Sequence, residues 1–221
     1  KLRQLRWKTK GDTYYLEQCK SDGQAWMLRR ENDSQLHGLM LVYVDDFMLL
    51  CDGGDMREQL VFELSKVWTM STIVHLTKTN PITFLGLEIE LTNGDDMLIH
   101  QQAFTKQLLA RHGVDKMTKP ITAIQMSAPE ADDVPPTAVQ LKELQAYAGE
   151  FNWLATRTRS DLAYYVSVIA STSTKHASWC LQLCKKVLRY LCGTVTAGIR
   201  YPAGGDAGQL VVWTDAGYGG V

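Results

Sequence analysis

The chain has no apolar run near the ~18 residues that span a bilayer; its longest, Leu39 to Val44 and Phe47 to Cys51, are the length of strands. It has no signal-peptide pattern either, because the basic stretch Lys1 to Lys10 has no apolar segment behind it. A membrane is therefore not expected among its partners. No initiator methionine begins the chain, so Lys1 is read as an internal cut rather than a natural start. Its five cysteines (Cys19, Cys51, Cys180, Cys184 and Cys192) form no CxxC pair and no zinc-type cluster with histidine. An odd number with no framework fits a reducing compartment. Cys180 and Cys184 fall four apart on an expected helix, where small core residues explain them better than a metal pair. His37, His75, His100, His112 and His176 have no ligand spacing and receive no role.

Charge of one sign is missing in two places. No acid interrupts Lys1, Arg3, Arg6, Lys8 and Lys10, and no Asp or Glu occurs from Leu162 to Gly205, where Lys175, Lys185, Lys186, Arg189 and Arg200 lie. The net charge of -1 conceals this asymmetry, since acids gather elsewhere, as at Glu130, Asp132 and Asp133. Basic stretches in a near-neutral chain suggest a polyanion held on one face, although solvated surface accounts for many such runs.

What is present suits a globular chain. Its 221 residues are 45% hydrophobic and 21% charged, enough for one sizeable domain or two small ones. Thr13 to Glu17, Ala25 to Arg29 and Gly38 to Asp52 read as strands, and Met56 to Val67 as an amphipathic helix with Leu60, Leu64 and Val67 on one stripe. Strands at Thr83 to Leu91 and Met97 to Gln101 flank the hairpin signal Asn93-Gly94. Helices follow: Gln102 to His112 before the stop signal Gly113, Ala138 to Arg157, one from about Asp161 to Ser171, and Ala177 to Leu191. Lys119 to Pro136, with prolines and the acidic cluster, reads as a linker. On a wheel of the last helix, Cys180, Leu183, Cys184, Val187, Leu188 and Leu191 share one side, opposite Gln182, Lys185, Lys186 and Arg189. That helix either presents a solvated face or tracks phosphates. Leu210 to Thr214 reads as a short strand ending in Asp215.

The sharpest feature is Leu41-Val42-Tyr43-Val44-Asp45-Asp46-Phe47-Met48-Leu49-Leu50, two apolar segments meeting at adjacent carboxylates. In a hairpin the acids stand at the tip. Neighbouring carboxylates repel, partial burial raises the cost, and a divalent cation relieves it. Carboxylate oxygens suit Mg²⁺, which keeps water or phosphate as further ligands; this is the arrangement of two-metal phosphoryl transfer. The plain alternative is a polar turn, since Asp tolerates turn geometry.

Tyr43-Val44-Asp45-Asp46 resembles the YxDD box of reverse transcriptases, best in its copia-type long-terminal-repeat retrotransposon form. Phe84-Leu85-Gly86-Leu87-Glu88-Ile89-Glu90 resembles the FLGIEIE segment of that family, Tyr147 to Asp161 resembles its YR-x-LVGSLMYLT-x-TRPDI stretch, and Lys185 to Thr194 resembles its KRILRYLKGT helix. Trp213 to Gly220 resembles YSDADWAG, the opening of the ribonuclease H domain. Gly149-Glu150 and Ser160 depart from the pattern. The likeness covers about residues 11 to 221, with five motifs in order.

The resemblance implies an α+β chain: 1–101 the second half of a polymerase palm, an antiparallel sheet with a helix; 102–205 a helical thumb and connection region; 206–221 the first strand of a ribonuclease H domain. It implies that Asp45 and Asp46 are catalytic and hold Mg²⁺ or Mn²⁺, with Asp45 the direct ligand of both ions. Tyr43 and Val44 would lie beside the primer end and incoming nucleotide, and Phe84, Leu85 and Gly86 would position the primer. Asp215 would be the first nuclease carboxylate and metal ligand. Lys185, Lys186 and Arg189 are the candidates for weaker nucleic-acid contact. The implied reaction is RNA-directed DNA synthesis on an RNA or DNA template with a primer and deoxynucleoside triphosphates, as part of a Pol polyprotein in a cytoplasmic virus-like particle or the nucleus. The family's other palm Asp precedes its YxDD box and has no counterpart here, and the remaining nuclease acids would follow Val221, so this chain alone is expected to be inactive. The alternatives are a non-catalytic nucleic-acid-binding remnant of a retroelement and another palm-type nucleotidyltransferase or cyclase.

Overall fold

The computed structural model describes residues 1–51, 53–114, 119–129 and 135–204. The chain is α+β, as expected, and divides into two compact units, Lys1–Val74 and His75–Val221. The hairpin sequence 82–100 falls in the second unit, with the helices.

The first unit is an antiparallel meander of β1 (Arg6–Thr9), β2 (Asp12–Gln18), β3 (Ala25–Arg30), β4 (Leu36–Tyr43) and β5 (Asp46–Cys51), in that spatial order. Period-two alternation decides its faces. Trp7, Tyr14, Leu16, Trp26, Leu28 and Met40 point to one side and are buried. Helix α1 (Gly54–Ser65) covers that side with Met56, Leu60 and Leu64. The stripe runs one turn earlier than the sequence suggests, since the helix ends before Val67. Each fully buried leucine contributes roughly 1.5–3 kcal/mol, so this ridge anchors α1. β1 has no counterpart among the strands expected from the sequence; it pairs with β2 from Arg6↔Tyr15 to Thr9↔Asp12. The basic start is also not a bare patch. Lys10 bonds Asp55 of α1 at 2.8 Å, Arg6 lies over the Tyr15 ring, and Lys1 over Trp68.

The second unit begins with β6 (Ile82–Phe84), β7 (Leu87–Leu91) and β8 (Met97–His100), then α2 (Gln102–Arg111), α3 (Ala138–Ala155), α4 (Ala163–Thr172), α5 (Ala177–Gly193) and β9 (Gly198–Tyr201). β9 returns to pair with β8, completing the order β6-β7-β8-β9. Sequence patterning misses it, because four residues ending in Arg200 and Tyr201 carry no alternation. All six apolar residues placed on one side of α5 by the helical wheel are buried, packed with Leu144, Tyr147, Phe151 and Leu154 of α3 and Val166 and Ile169 of α4. A capping box starts α3: Gln140 N–H donates to Thr137 Oγ1 at 3.2 Å, and Thr137 N–H donates to Gln140 Oε1 at 2.9 Å. Residues 119–129 are no free linker; they form an extended strap with Ile124 and Met126 against the helical core. The expected strand at 210–214 and Asp215 lie outside the described residues. No helix among the described residues is long and apolar enough to cross a membrane.

Candidate active site

β4 and β5 are joined by Val44 and Asp45 alone, with Tyr43 paired to Asp46 across the turn. A two-residue connection needs a left-handed conformation, normally supplied by glycine or asparagine. Here Val44 takes it, at φ 53. A β-branched residue in this region is a true outlier, and such strain collects where function overrides local preference. The arms that hold the turn are apolar: Val42 pairs with Phe47 and Met40 with Leu49, all packed on or within the core of the first unit. Asp45 and Asp46 therefore stand at the turn of the β4–β5 pair, at one edge of the five-stranded sheet.

The tip itself is open. Tyr43 is 44% and Val44 80% exposed, and both carboxylates are exposed. The chain reverses here, and the four residues Tyr43 to Asp46 are all exposed. Repulsion between adjacent acids remains as a reason to bind a cation; desolvation does not. Among the described residues no group of three or more His, Cys, Asp and Glu side chains converges to enclose a metal. Two exposed carboxylates fit Mg²⁺ as an ion that takes one or two protein oxygens and completes its shell with water and substrate phosphate.

Phe84, Leu85 and Gly86 lie in the second unit, at another two-residue turn. The segment 83–91, read as one strand, is folded in two: Phe84 pairs with Leu87 across Leu85-Gly86. Both turn residues are left-handed, Leu85 at φ 54 and Gly86 at φ 76, so a second large side chain occupies a glycine-type position. The aromatic edge of Trp153 on α3 lies 3.7 Å from where a Gly86 Cβ would stand, and Arg157 stacks over that indole at 4.8 Å. Sequence reasoning does not single out this aromatic and guanidinium platform beside the turn; the W-x-x-x-R spacing on a helix is its available signal.

Glu88, noted only as part of a motif, has a plain structural task. It accepts the Ala103 N–H at 2.7 Å at the start of α2, where the helix dipole favours an anion. Arg159 and Asp161 are likewise structural. Arg159 is 2% exposed, donates to Asp161 and to the Thr194 carbonyl and hydroxyl at 2.8–3.0 Å, and lies over Tyr190. Tyr190 O–H donates to Asp161 at 2.8 Å. Two motif stretches thus meet in one knot. Burial alone would raise the Asp161 carboxyl, but the bonds from Arg159 and Tyr190 outweigh it and hold the group below its ordinary value.

The basic face of α5 lies partly against residues 119–129. Lys186 Nζ donates to the Gln125 carbonyl at 2.9 Å, and Arg189 Nε to the Lys119 carbonyl at 3.0 Å. Both side chains are half-buried, and of the three candidate cations only Lys185 is exposed. Both accepting carbonyls belong to the 119–129 strap.

The chain resembles three curated proteins at low identity. It is 23% identical over 92% of its length to a putative transposon Ty5-1 protein of Saccharomyces cerevisiae, covering 64% of that protein. It is 26% identical over 72% of its length to an uncharacterized mitochondrial protein of Arabidopsis thaliana, covering 63%. It is 27% identical over 82% of its length to the retrovirus-related Pol polyprotein from transposon RE1 of Arabidopsis thaliana, covering 12%. The chain therefore spans less than two thirds of each. No protein-family model matches it, and no solved structure does. At this identity the relatives support a retrotransposon polyprotein as the source of the chain.

Proposed function

We propose that this chain is part of a retroelement reverse transcriptase, and that the Val44–Asp45 turn presents two of its metal-binding carboxylates to the primer end. The observation that carries the reading is the strained YVDD turn on apolar arms packed against the core of the first unit, in a chain whose relatives include a transposon Pol polyprotein. Asp45 and Asp46 would hold Mg²⁺ or Mn²⁺, which when bound supplies charge neutralisation for nucleotidyl transfer. The chain contributes position: a short turn fixes both acids, and Tyr43, across from Asp46, offers a ring beside them. In the second unit, Phe84 to Gly86 and the Trp153–Arg157 stack supply a turn and a flat cationic surface suited to a primer strand. The partners are a template with its primer, deoxynucleoside triphosphates and the rest of the polyprotein.

Primer extension on an RNA template, by a protein extended to the length of the polyprotein relatives, tests this. Synthesis dependent on Mg²⁺, abolished by chelation, is expected. Tight, salt-sensitive primer–template binding with no synthesis under any divalent ion would instead favour a non-catalytic remnant.

A further inference from the structure

The strap 119–129 is tied to α4 and α5 more specifically than a loop needs. Ile121 N–H donates to the Arg189 carbonyl at 3.3 Å, and Tyr165 O–H donates to the Ile124 carbonyl at 3.4 Å. Lys186 and Arg189 each point a charged donor at a strap carbonyl. The close approach requires a glycine on the helix: a Cβ at Gly193 would lie 2.7 Å from the Ile121 carbonyl oxygen and 3.3 Å from the Pro120 Cβ. Outward-facing residues Lys119, Pro120, Thr122, Ala123 and Gln125 are exposed, so Ile124 and Met126, packed on the helical core, hold the strap by apolar burial.

Neutral carbonyls are modest partners for a guanidinium and an ammonium. A phosphate offers full negative charge and, to Arg189, two oxygens at once. The sequence around the site carries no acid from Leu162 to Gly205 and none from Lys119 to Pro129, so nothing in the strap or α5 repels a polyanion.

We infer that the basic face of α5 is a binding surface for a nucleic-acid phosphate backbone, and that the strap occupies it until displaced. The carbonyls of Lys119 and Gln125 stand where phosphate oxygens would bind. The polyanion competes with the strap for Lys186 and Arg189, and affinity at this face is set by how readily the strap lifts. Only the choice of nucleic acid as the polyanion rests on the reverse transcriptase reading.

Gly193→Ala tests this directly. The added methyl group meets the Ile121 carbonyl and lifts the strap, while alanine favours the helix. Primer–template binding by the 221-residue chain is measured from about 50 to 200 mM salt for wild type, for Gly193→Ala, for Lys186→Gln with Arg189→Gln, and for all three changes together. Thermal melting confirms that each is folded, and hydrogen exchange at Ile121 reports strap release. Two freed cations should steepen the salt slope by about two, so the alanine variant should lose roughly tenfold more affinity than wild type across that range. The double glutamine change should cancel the gain in the alanine background. If Ile121 becomes unprotected while the salt slope stays at the wild-type value, the inference is wrong; weaker binding by Gly193→Ala also overturns it, because the strap is then part of the surface. Should Gly193→Ala fold poorly, Ile124→Ser releases the strap from its apolar side and faces the same criteria. Wild-type binding that ignores every one of these changes leaves the polymerase reading intact while removing the strap. A steepened slope in a polyprotein that cannot extend a primer does the reverse.

Discussion

Val44 sits at the centre of the account. Its φ of 53 costs a non-glycine residue about 1–2 kcal/mol, and glycine would cost about 0.5–1 kcal/mol in the entropy of the unfolded chain. Val44→Gly should therefore stabilise the isolated chain by roughly 0.5–1 kcal/mol, seen as a higher denaturation midpoint with an unchanged m-value, while lowering synthesis by the full-length protein. A gain in both would mean that the strain serves no purpose at the tip. Arg159 makes the opposite prediction. Replacing it with leucine removes donors to Asp161 and Thr194 inside a buried knot and should cost about 2–3 kcal/mol without any specific effect on nucleic-acid affinity at matched folding. The carboxylates at the tip are legible from residue order alone, since two apolar arms around Asp-Asp leave few other places for the acids. Their exposure is not, because it depends on what packs around the turn in the folded chain. The roles of Arg159 and Glu88 are equally hidden: Arg159 reaches Thr194 as well as its neighbour Asp161, Glu88 reaches Ala103, and no local pattern announces these longer pairings.

At the scale of elements, caps and clasps decide more than propensity. Thr137→Ala breaks the capping box of α3 and should lower stability by about 1 kcal/mol, whereas Thr137→Ser should keep most of it; equal losses would mean that the methyl group matters and the cap does not. β9 depends on Asp96, which is 8% exposed, accepts the Ala203 N–H at 2.8 Å and pairs with Arg200. The Ala203 bond, then Arg200, hold the Asp96 carboxyl below its ordinary value. A depressed folded-state pKa means that its stabilising contribution is complete above the unfolded carboxylate range, near about pH 4, and is lost as pH falls through the folded value. Amide exchange at Ala203, corrected for intrinsic rate, should accelerate below about pH 4, and Asp96→Asn should flatten that acid limb; an unchanged limb would assign it to other carboxylates. Helices are legible in the sequence because the 3.6-residue period of α5 is nearly free of exceptions. β9 is not, being four residues that become a strand only by pairing with β8. The 82–91 segment misleads for a related reason. Its turn uses Leu85 where turn chemistry calls for glycine or asparagine, so the apolar run reads straight through the fold.

For the whole molecule, two units with separate cores carry the candidate residues: the YVDD tip in one, the Phe84 turn and basic α5 in the other. The order of motifs along the chain points by itself to a retrotransposon polyprotein, and the relatives support that much. Composition cannot do so, since 45% hydrophobic and 21% charged residues describe countless globular domains. The function proposed for the chain then rests on one geometric element, the strained carboxylate turn. Single-nucleotide incorporation on an RNA template addresses it most directly, with the polyprotein-length protein and its Asp45→Asn variant compared at equal primer–template occupancy in Mg²⁺. The account predicts that wild type adds the nucleotide and that Asp45→Asn binds normally but incorporates roughly 10³-fold more slowly, an order of magnitude in line with loss of a group that stabilises transition-state charge. Incorporation by the variant at the wild-type rate would contradict it and return the hairpin tip to an ordinary polar turn.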